Sequence, residues 1–301
     1  MTILLTGATG TIGRALVPLL AAHTDVRVLL RDGHDIPGVR VVVADLDRPS
    51  TLAGAMSGVD TLWLLTPAGP QAPHQSSNLV RAALEADVKH IVRLSAIGAA
   101  HDAPTRNGRL HALSDVELRA SGIASTVVRP APFMQNLLGS VVDGNLLHTW
   151  GDGRAGLIDA RDIAEFAARV LLRPHEHVNR TYTITGPASL SMTDVAATLS
   201  DVLGRSIVAR SIPPAAAVAG MVAAGIPEWV AEVVADEYGA AYAAGWGDYT
   251  TQDFTAVVGR PARPIDDFAR DHAATIEPPT GQGTDDGPMV VVEDRLATIH
   301  P

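Results

Sequence analysis

The chain has no cysteine in its 301 residues. That single absence removes disulfides, thiolate metal sites and a cysteine nucleophile. Lysine is nearly as scarce, with Lys89 alone among 23 basic residues. Some reductases lower a tyrosine pKa with a lysine four positions on. None of Tyr182, Tyr238, Tyr242 and Tyr249 has that partner here. Positive charge is also short overall: the net charge of −10 argues against nonspecific binding to nucleic acid or anionic membranes, either of which needs a basic surface. A small local basic pocket for a phosphate stays compatible with that total. No run of about 18 apolar residues occurs, so no membrane span is expected. The first residues enter a β-rich run with no charged leader, which makes the cytoplasm the expected location. Metal-ligand spacing is missing as well. His175 and His177 lack companions of the right type and read as loop residues.

What is present is a glycine turn, at the very start. Thr2 to Gly13 reads TILLTGATGTIG: a β-rich run, then Gly7-x-x-Gly10-x-x-Gly13, then a helical pattern from Arg14. Strand, glycine turn and helix start in this order form the context of a dinucleotide-binding fingerprint. Gly7 lets the chain leave the strand sharply, and Gly10 lets backbone N–H groups approach a pyrophosphate. Gly13 permits close helix packing, while the helix start attracts phosphate through its unpaired N–H groups and dipole. Thr9, Gly10, Thr11, Ile12 and Gly13 are therefore candidate cofactor contacts, with Gly7 at the turn.

The first half alternates short β-rich runs with helical stretches, which predicts a Rossmann-like, doubly wound parallel sheet of the α/β class. Strands are expected at 26–30, 39–44, 61–65, 90–95 and 125–130, with helices at 50–56 (capped by Ser50), 75–86 and about 110–120. Ligands bind at the carboxyl ends of such strands. That rule puts Arg31, Asp45-Leu46, Thr66-Pro67, Ser95-Ala96 and Pro130 to Phe133 on one rim beside the glycine turn. Beyond Gln135 the pattern loosens. Helices are expected at 159–172 and 192–203 (capped by Ser191, stopped by Gly204), strands at 181–185 and 207–212, and an alanine-rich helical region at 213–246. We therefore expect a Rossmann domain at 1–135 and a smaller α/β substrate-binding part at 136–276, interleaved with the first. A tail at 277–301 contains a candidate edge strand, Met289 to Val292.

The cofactor form can be argued from charge. An acidic residue at the end of the second strand would suit the ribose hydroxyls of NAD. Arg31 stands there instead, with Asp32 behind it. A guanidinium suits a 2′-phosphate through bidentate, charge-assisted contact, so NADP(H) is expected over NAD(H), with Arg14 as an auxiliary.

Taken together, TGATGTIG, VRVLLRD, VVVADLDRPSTLAGAMSGVDTLWLLTP, VKHIVRLSAIGA, LRASGIASTVVRPAPFMQN, ARDIAEFAARVL, TYTITGPASLSMTDVAATLSDVLG and DDFARDHAATI resemble the NmrA-like family of atypical short-chain dehydrogenases/reductases, including its quinone-oxidoreductase-like members. The resemblance runs from residue 2 to about 276. It implies that Asp45 and Leu46 border the adenine and that Thr66 and Pro67 pass the phosphates and ribose. It also puts Phe133 and Met134 near the nicotinamide, with a loop-capping role for Asp45 and core roles for Phe133 and Met134 as the plain alternatives. Counting back from Ser121-Gly122 to the position where related reductases often carry a lysine lands on His111, a candidate acid or substrate-orienting group. Asp115, one turn on, is placed to orient that imidazole. Ser95 matches the position of the short-chain reductase serine and is the second catalytic candidate.

These residues predict an NADPH-dependent oxidoreductase of a small apolar acceptor such as a quinone or enone, without the Tyr-x-x-x-Lys pair. Trp150, Trp229, Trp246 and Phe254 would wall its pocket. Two alternatives stand beside it: an NADP-binding redox-sensing regulator without turnover, and a tailoring reductase or isomerase acting on an aromatic or polyketide. Expected partners are a small molecule and, as a candidate assembly, a homodimer; nucleic acid and membrane are not expected.

Overall fold

The computed structural model describes residues 1–276; the expected tail and its edge strand lie outside the described residues. In chain order the first half runs β1 (Thr2–Leu5), α1 (Thr11–Ala21), β2 (Asp25–Leu30), β3 (Arg40–Val43), α2 (Leu52–Met56), β4 (Thr61–Leu64), α3 (Ala72–Glu85), β5 (His90–Leu94), α4 (Arg106–Ala120) and β6 (Ala124–Pro130). The second half adds short β7 (Val141–Val142), β8 (Asn145–His148) and β9 (Arg154–Ala155), then α5 (Ala160–Leu172), β10 (Arg180–Ile184), β11 (Leu190–Ser191), α6 (Met192–Leu203) and β12 (Val208–Ser211). It closes with α7 (Pro214–Ala223), α8 (Glu228–Glu232), a π-helical turn at Val233–Tyr238, α9 (Gly239–Ala243), α10 (Asp253–Val258), α11 (Ile265–Asp271) and α12 (Ala273–Ile276).

Seven parallel strands make the main sheet, ordered β10-β6-β5-β4-β1-β2-β3. This is the doubly wound α/β arrangement, with the order reversing between β1 and β4. β4 and β5 are buried along their whole length, as strands covered on both faces must be. One face packs Ile3, Leu5, Val28 and Trp63 against α1 and α5. The other packs Leu4, Leu62, Leu64 and Ile91 against α2 and α3. A third, separate core gathers Met134, Leu137 and Leu146 with residues of α6 and α11. Elements beyond residue 135 return to the main layer: β10 pairs with β6, and Phe166 of α5 lies in the first core. Asp162 of α5 is fully buried and accepts from Arg260 Nη2 (2.7 Å) and the Arg263 backbone N–H (2.6 Å), which ties the chain after α10 to α5.

Several local expectations need correction. Ser50 caps nothing; it sits inside a 3₁₀ turn, Pro49–Thr51, that leads into α2. α4 starts four residues earlier than the apolar pattern indicates, because Thr105 caps it by accepting the Gly108 N–H at 3.0 Å. His177 is no loop-surface residue: it is buried, with Nδ1 2.9 Å from the Tyr182 hydroxyl. The expected end signals of α6 hold, with a Ser191/Asp194 capping box and Gly204 left-handed at φ 67°. No helix among the described residues is long and apolar enough to cross a membrane.

Candidate functional site

Because every strand of the main sheet runs the same way, the segments after β1 to β6 share one edge. Across the sheet their order is Asp45-Leu46, Arg31, the glycine turn, Thr66-Pro67, Ser95 and Pro130. The glycine turn is built for close approach. Gly7 has φ +69°, and a Cβ there would fall 2.6 Å from Leu65 Cδ2. At Gly13 a Cβ would meet the Gly7 carbonyl oxygen at 2.2 Å and that of Ala8 at 2.5 Å. Gly13 thus holds the helix against its own entry turn, rather than against the sheet. Gly10 adopts φ −78°, open to any residue, so only its location argues for glycine. α1 begins with no side-chain cap and no acidic residue in its first turn. Its first N–H groups and the positive end of its dipole therefore face the rim without an intramolecular anion, which fits a dinucleotide pyrophosphate.

The neighbouring loops are pinned. Thr6 Oγ1 donates to the Leu65 carbonyl (2.7 Å) and accepts from the Leu65 N–H (2.8 Å), locking the ends of β1 and β4 together. Asp45 Oδ1 accepts the Asp47 N–H at 3.0 Å, the loop-capping role, and the Leu46 carbonyl accepts from Asn78 Nδ2 at 2.8 Å. Arg14 Nε donates to the Thr9 carbonyl at 2.7 Å, so this arginine braces the turn. Phe133 is half-buried, bridged to Ile158 and packed on the first core. Met134 takes the core alternative, buried in the third core.

At the β5–β6 end the strands carry a buried ionic cluster. Arg93, only 1% exposed, donates from Nε to Asp115 Oδ1 (2.9 Å), from Nη1 to Ser76 Oγ (3.3 Å) and from Nη2 to His111 Nδ1 (3.2 Å). Arg129, one strand over, donates from Nη2 to Asp115 Oδ2 at 2.8 Å, and Ser95 Oγ donates to the same oxygen at 3.0 Å. The structure thus brings His111, Ser95 and Asp115 together, but not with the expected wiring. Asp115 does not touch His111; it is taken by two arginines and the serine, and Arg93 reaches the imidazole instead. Burial, reinforced by the Arg93 charge, pulls the His111 pKa down to about 3. Sequence reasoning missed both arginines. The signal was there: a charged residue inside a strand covered on both faces requires a counter-charge.

Just beyond Ser95 lies an open pocket of about 490 Å³, lined by Gly98, Ala100, Asp102, Ala103 and Pro104 of the loop after β5 and by Ala241 and Trp246. Gly98 has φ +61°, and a Cβ there would sit 2.1 Å from Trp246 Cζ2, so the loop after β5 closes on the indole only with glycine. Trp246 belongs to an aromatic group with Tyr238, Tyr242 and Trp150. Trp229 sits apart, under the Arg106 guanidinium. Phe254 is a correction: it is buried in the first core, stacked on Phe166, and walls no pocket. Among the described residues no group of three His, Asp or Glu could hold a metal.

The NmrA-like family matches this chain over residues 1–240. An NAD(P)H azoreductase of Xenophilus azovorans is 38% identical over 285 residues, covering 90% of this chain and 98% of that protein. Quinone oxidoreductase 2 of Escherichia coli (strain K12) is 27% identical over 273 residues, 86% of this chain and 94% of its own. Among solved structures, the Citrobacter sp. triphenylmethane reductase complexed with NADP(H) aligns with a TM-score of 0.79 at 25% identity, covering 91% of this chain and all of that one.

Proposed function

The chain belongs to the NmrA-like family, and from that premise we propose that it is an NAD(P)H-dependent oxidoreductase, taking NADPH in preference and reducing a small apolar acceptor such as a quinone or enone. The observation that carries this reading is the uncapped start of α1 behind Gly7 and Gly13, at the point where the strand order reverses. Thr9, Gly10, Thr11, Ile12 and Gly13 hold the pyrophosphate from the helix start. Arg31, at the end of β2, takes the 2′-phosphate, and the pinned loops at Asp45-Leu46 and Thr66-Pro67 flank the adenine and ribose. Pro130 and Phe133 border the nicotinamide end. When bound, the cofactor supplies hydride.

The chain's own part is to seat the acceptor and meet the negative charge that forms on it. The Gly98–Trp246 pocket seats a flat apolar molecule against Trp246, in the substrate-binding part we assign to residues 136–276 together with the loop after β5. His111 faces the developing charge. The Ser95 hydroxyl already donates its hydrogen bond to Asp115, so it assists by fixing that carboxylate at the end of β5. The azoreductase and quinone oxidoreductase relatives support conjugated acceptors of this kind.

Calorimetric titration with NADPH and then NADH, followed by a panel of quinones, enones and azo compounds, tests the reading. Tight NADPH binding with loss of nicotinamide absorbance on adding acceptor is the expected result. Binding without oxidation across the panel would refute turnover, and no binding would refute the site.

A further inference from the structure

The ionic cluster under the rim has one contact whose chemistry admits a single protonation pattern. A guanidinium carries donors only. The 3.2 Å contact from Arg93 Nη2 to His111 Nδ1 therefore requires a lone pair on Nδ1, and the ring proton must sit on Nε2. His111 is half-buried, near the N-terminal end of α4, and its Nε2 is not among the side-chain nitrogens buried without a partner, which leaves that N–H free to serve an outside acceptor.

We propose that Arg93 is a positioning residue that locks His111 as a neutral imidazole donating from Nε2. His111 then serves the acceptor as a fixed hydrogen-bond donor and not as an imidazolium acid. This rests on the oxidoreductase reading for its purpose, but not for its geometry. The lock is rigid because Arg93 is itself held at every arm. Nε is fixed by Asp115, Nη1 by Ser76, and the whole side chain lies within buried β5. Asp115 is in turn gripped by Arg129 from β6 and Ser95 from the end of β5. The charged groups bearing on the imidazole are thus Arg93, Arg129 and Asp115, two cations and one anion. A second proton on the ring would add a positive charge to an already cationic cluster and would break the Arg93 contact. The depressed His111 pKa agrees with that geometry.

The arrangement has a chemical consequence. A neutral donor can stabilise the anion formed on a quinone or another conjugated acceptor without delivering a proton to it. The final proton then comes from water after the product leaves the rim. Rate should therefore be independent of any histidine titration between pH 5 and 8.

Long-range ¹H–¹⁵N spectra of the ¹⁵N-labelled full-length protein test this from pH 4.5 to 8, with the His111 signals assigned by their loss in His111→Asn. The expected result is an Nε2–H pattern that persists across the range. In Arg93→Met the same ring should show mixed tautomers and a midpoint moved up toward the ordinary histidine value. A wild-type His111 that titrates near pH 6.5, or one protonated on Nδ1, would overturn the proposal, and the wild-type spectrum alone decides this. With acceptor present, His111→Leu should lower kcat/KM by about 100-fold, whereas His111→Asn, which keeps an N–H, should recover most of it. An acid limb in wild-type kcat/KM that vanishes in His111→Asn would also overturn it. If the protein oxidises no NADPH at all, the oxidoreductase reading fails while the spectra still judge the Arg93–His111 lock.

Discussion

Acidification from pH 7.5 to pH 5 should cost this fold about 4 kcal/mol through two histidines, with half assigned to each. His90 is 4% exposed in β5, with Nε2 2.9 Å from Thr126 Oγ1, and burial followed by the His177 charge pulls its pKa down to about 4. His111 is pulled to about 3 by burial and then Arg93. In the unfolded chain both return to about 6.5. Between the folded and unfolded values the unfolded state binds more protons, so stability rises with pH through that window and is lost as pH falls below 6.5. At pH 5 both native rings are still neutral. The unfolded chain gains about 1.5 pH units of protonation at each, or about 2 kcal/mol per ring. Against a typical total of about 5–15 kcal/mol, that loss is large. His148 and His177, also lowered by burial, add a smaller loss in the same window, whereas Asp159 and Asp194, whose pKa values are lowered, add acid sensitivity only from the ordinary carboxylate range down. Urea unfolding at pH 7.5 and pH 5 measures the effect. His90→Gln and His111→Asn should each shrink the difference between the two pH values by about 2 kcal/mol, whatever they do to stability at pH 7.5. A double variant with the same pH dependence as wild type would show that neither ring is held neutral.

Gly13→Ala places a methyl group 2.2 Å from the Gly7 carbonyl, so the turn must open. NADPH binding by calorimetry should weaken by at least about tenfold, with a lowered Tm. Arg31→Asp should weaken NADPH far more than NADH; equal losses would mean that Arg31 does not meet the 2′-phosphate. Asp115→Asn leaves Arg93 and Arg129 without their shared counter-charge, and urea unfolding should show a loss of about 3–5 kcal/mol.

The strands of the main sheet were legible because burial on both faces favours apolar runs such as Leu62 to Leu64, and the glycine spacing told where the first of them ends. The lobe after Gln135 was less so, since β7, β8 and β9 are two to four residues long and carry no periodicity to read. The start of α4 was hidden for another reason: Arg106-Asn107-Gly108-Arg109 has no apolar stripe, and only the Thr105 cap marks it. Within the candidate site, single positions were readable and their wiring was not. His111 and Ser95 follow from place along the chain, whereas the roles they can play depend on Arg93 and Arg129, which sequence reading leaves as strand residues. A tautomer is set by which atom faces the ring, and that is a property of two strands and a helix packed together. The same packing makes Asp115 do two jobs at once: it neutralises the buried arginines, and it holds Arg93 in the one orientation that leaves His111 a donor. Stability and any chemistry at this rim should therefore fail together when Asp115 is lost. They should separate when His111 alone is changed to Asn, because that substitution leaves the arginines and their counter-charge in place.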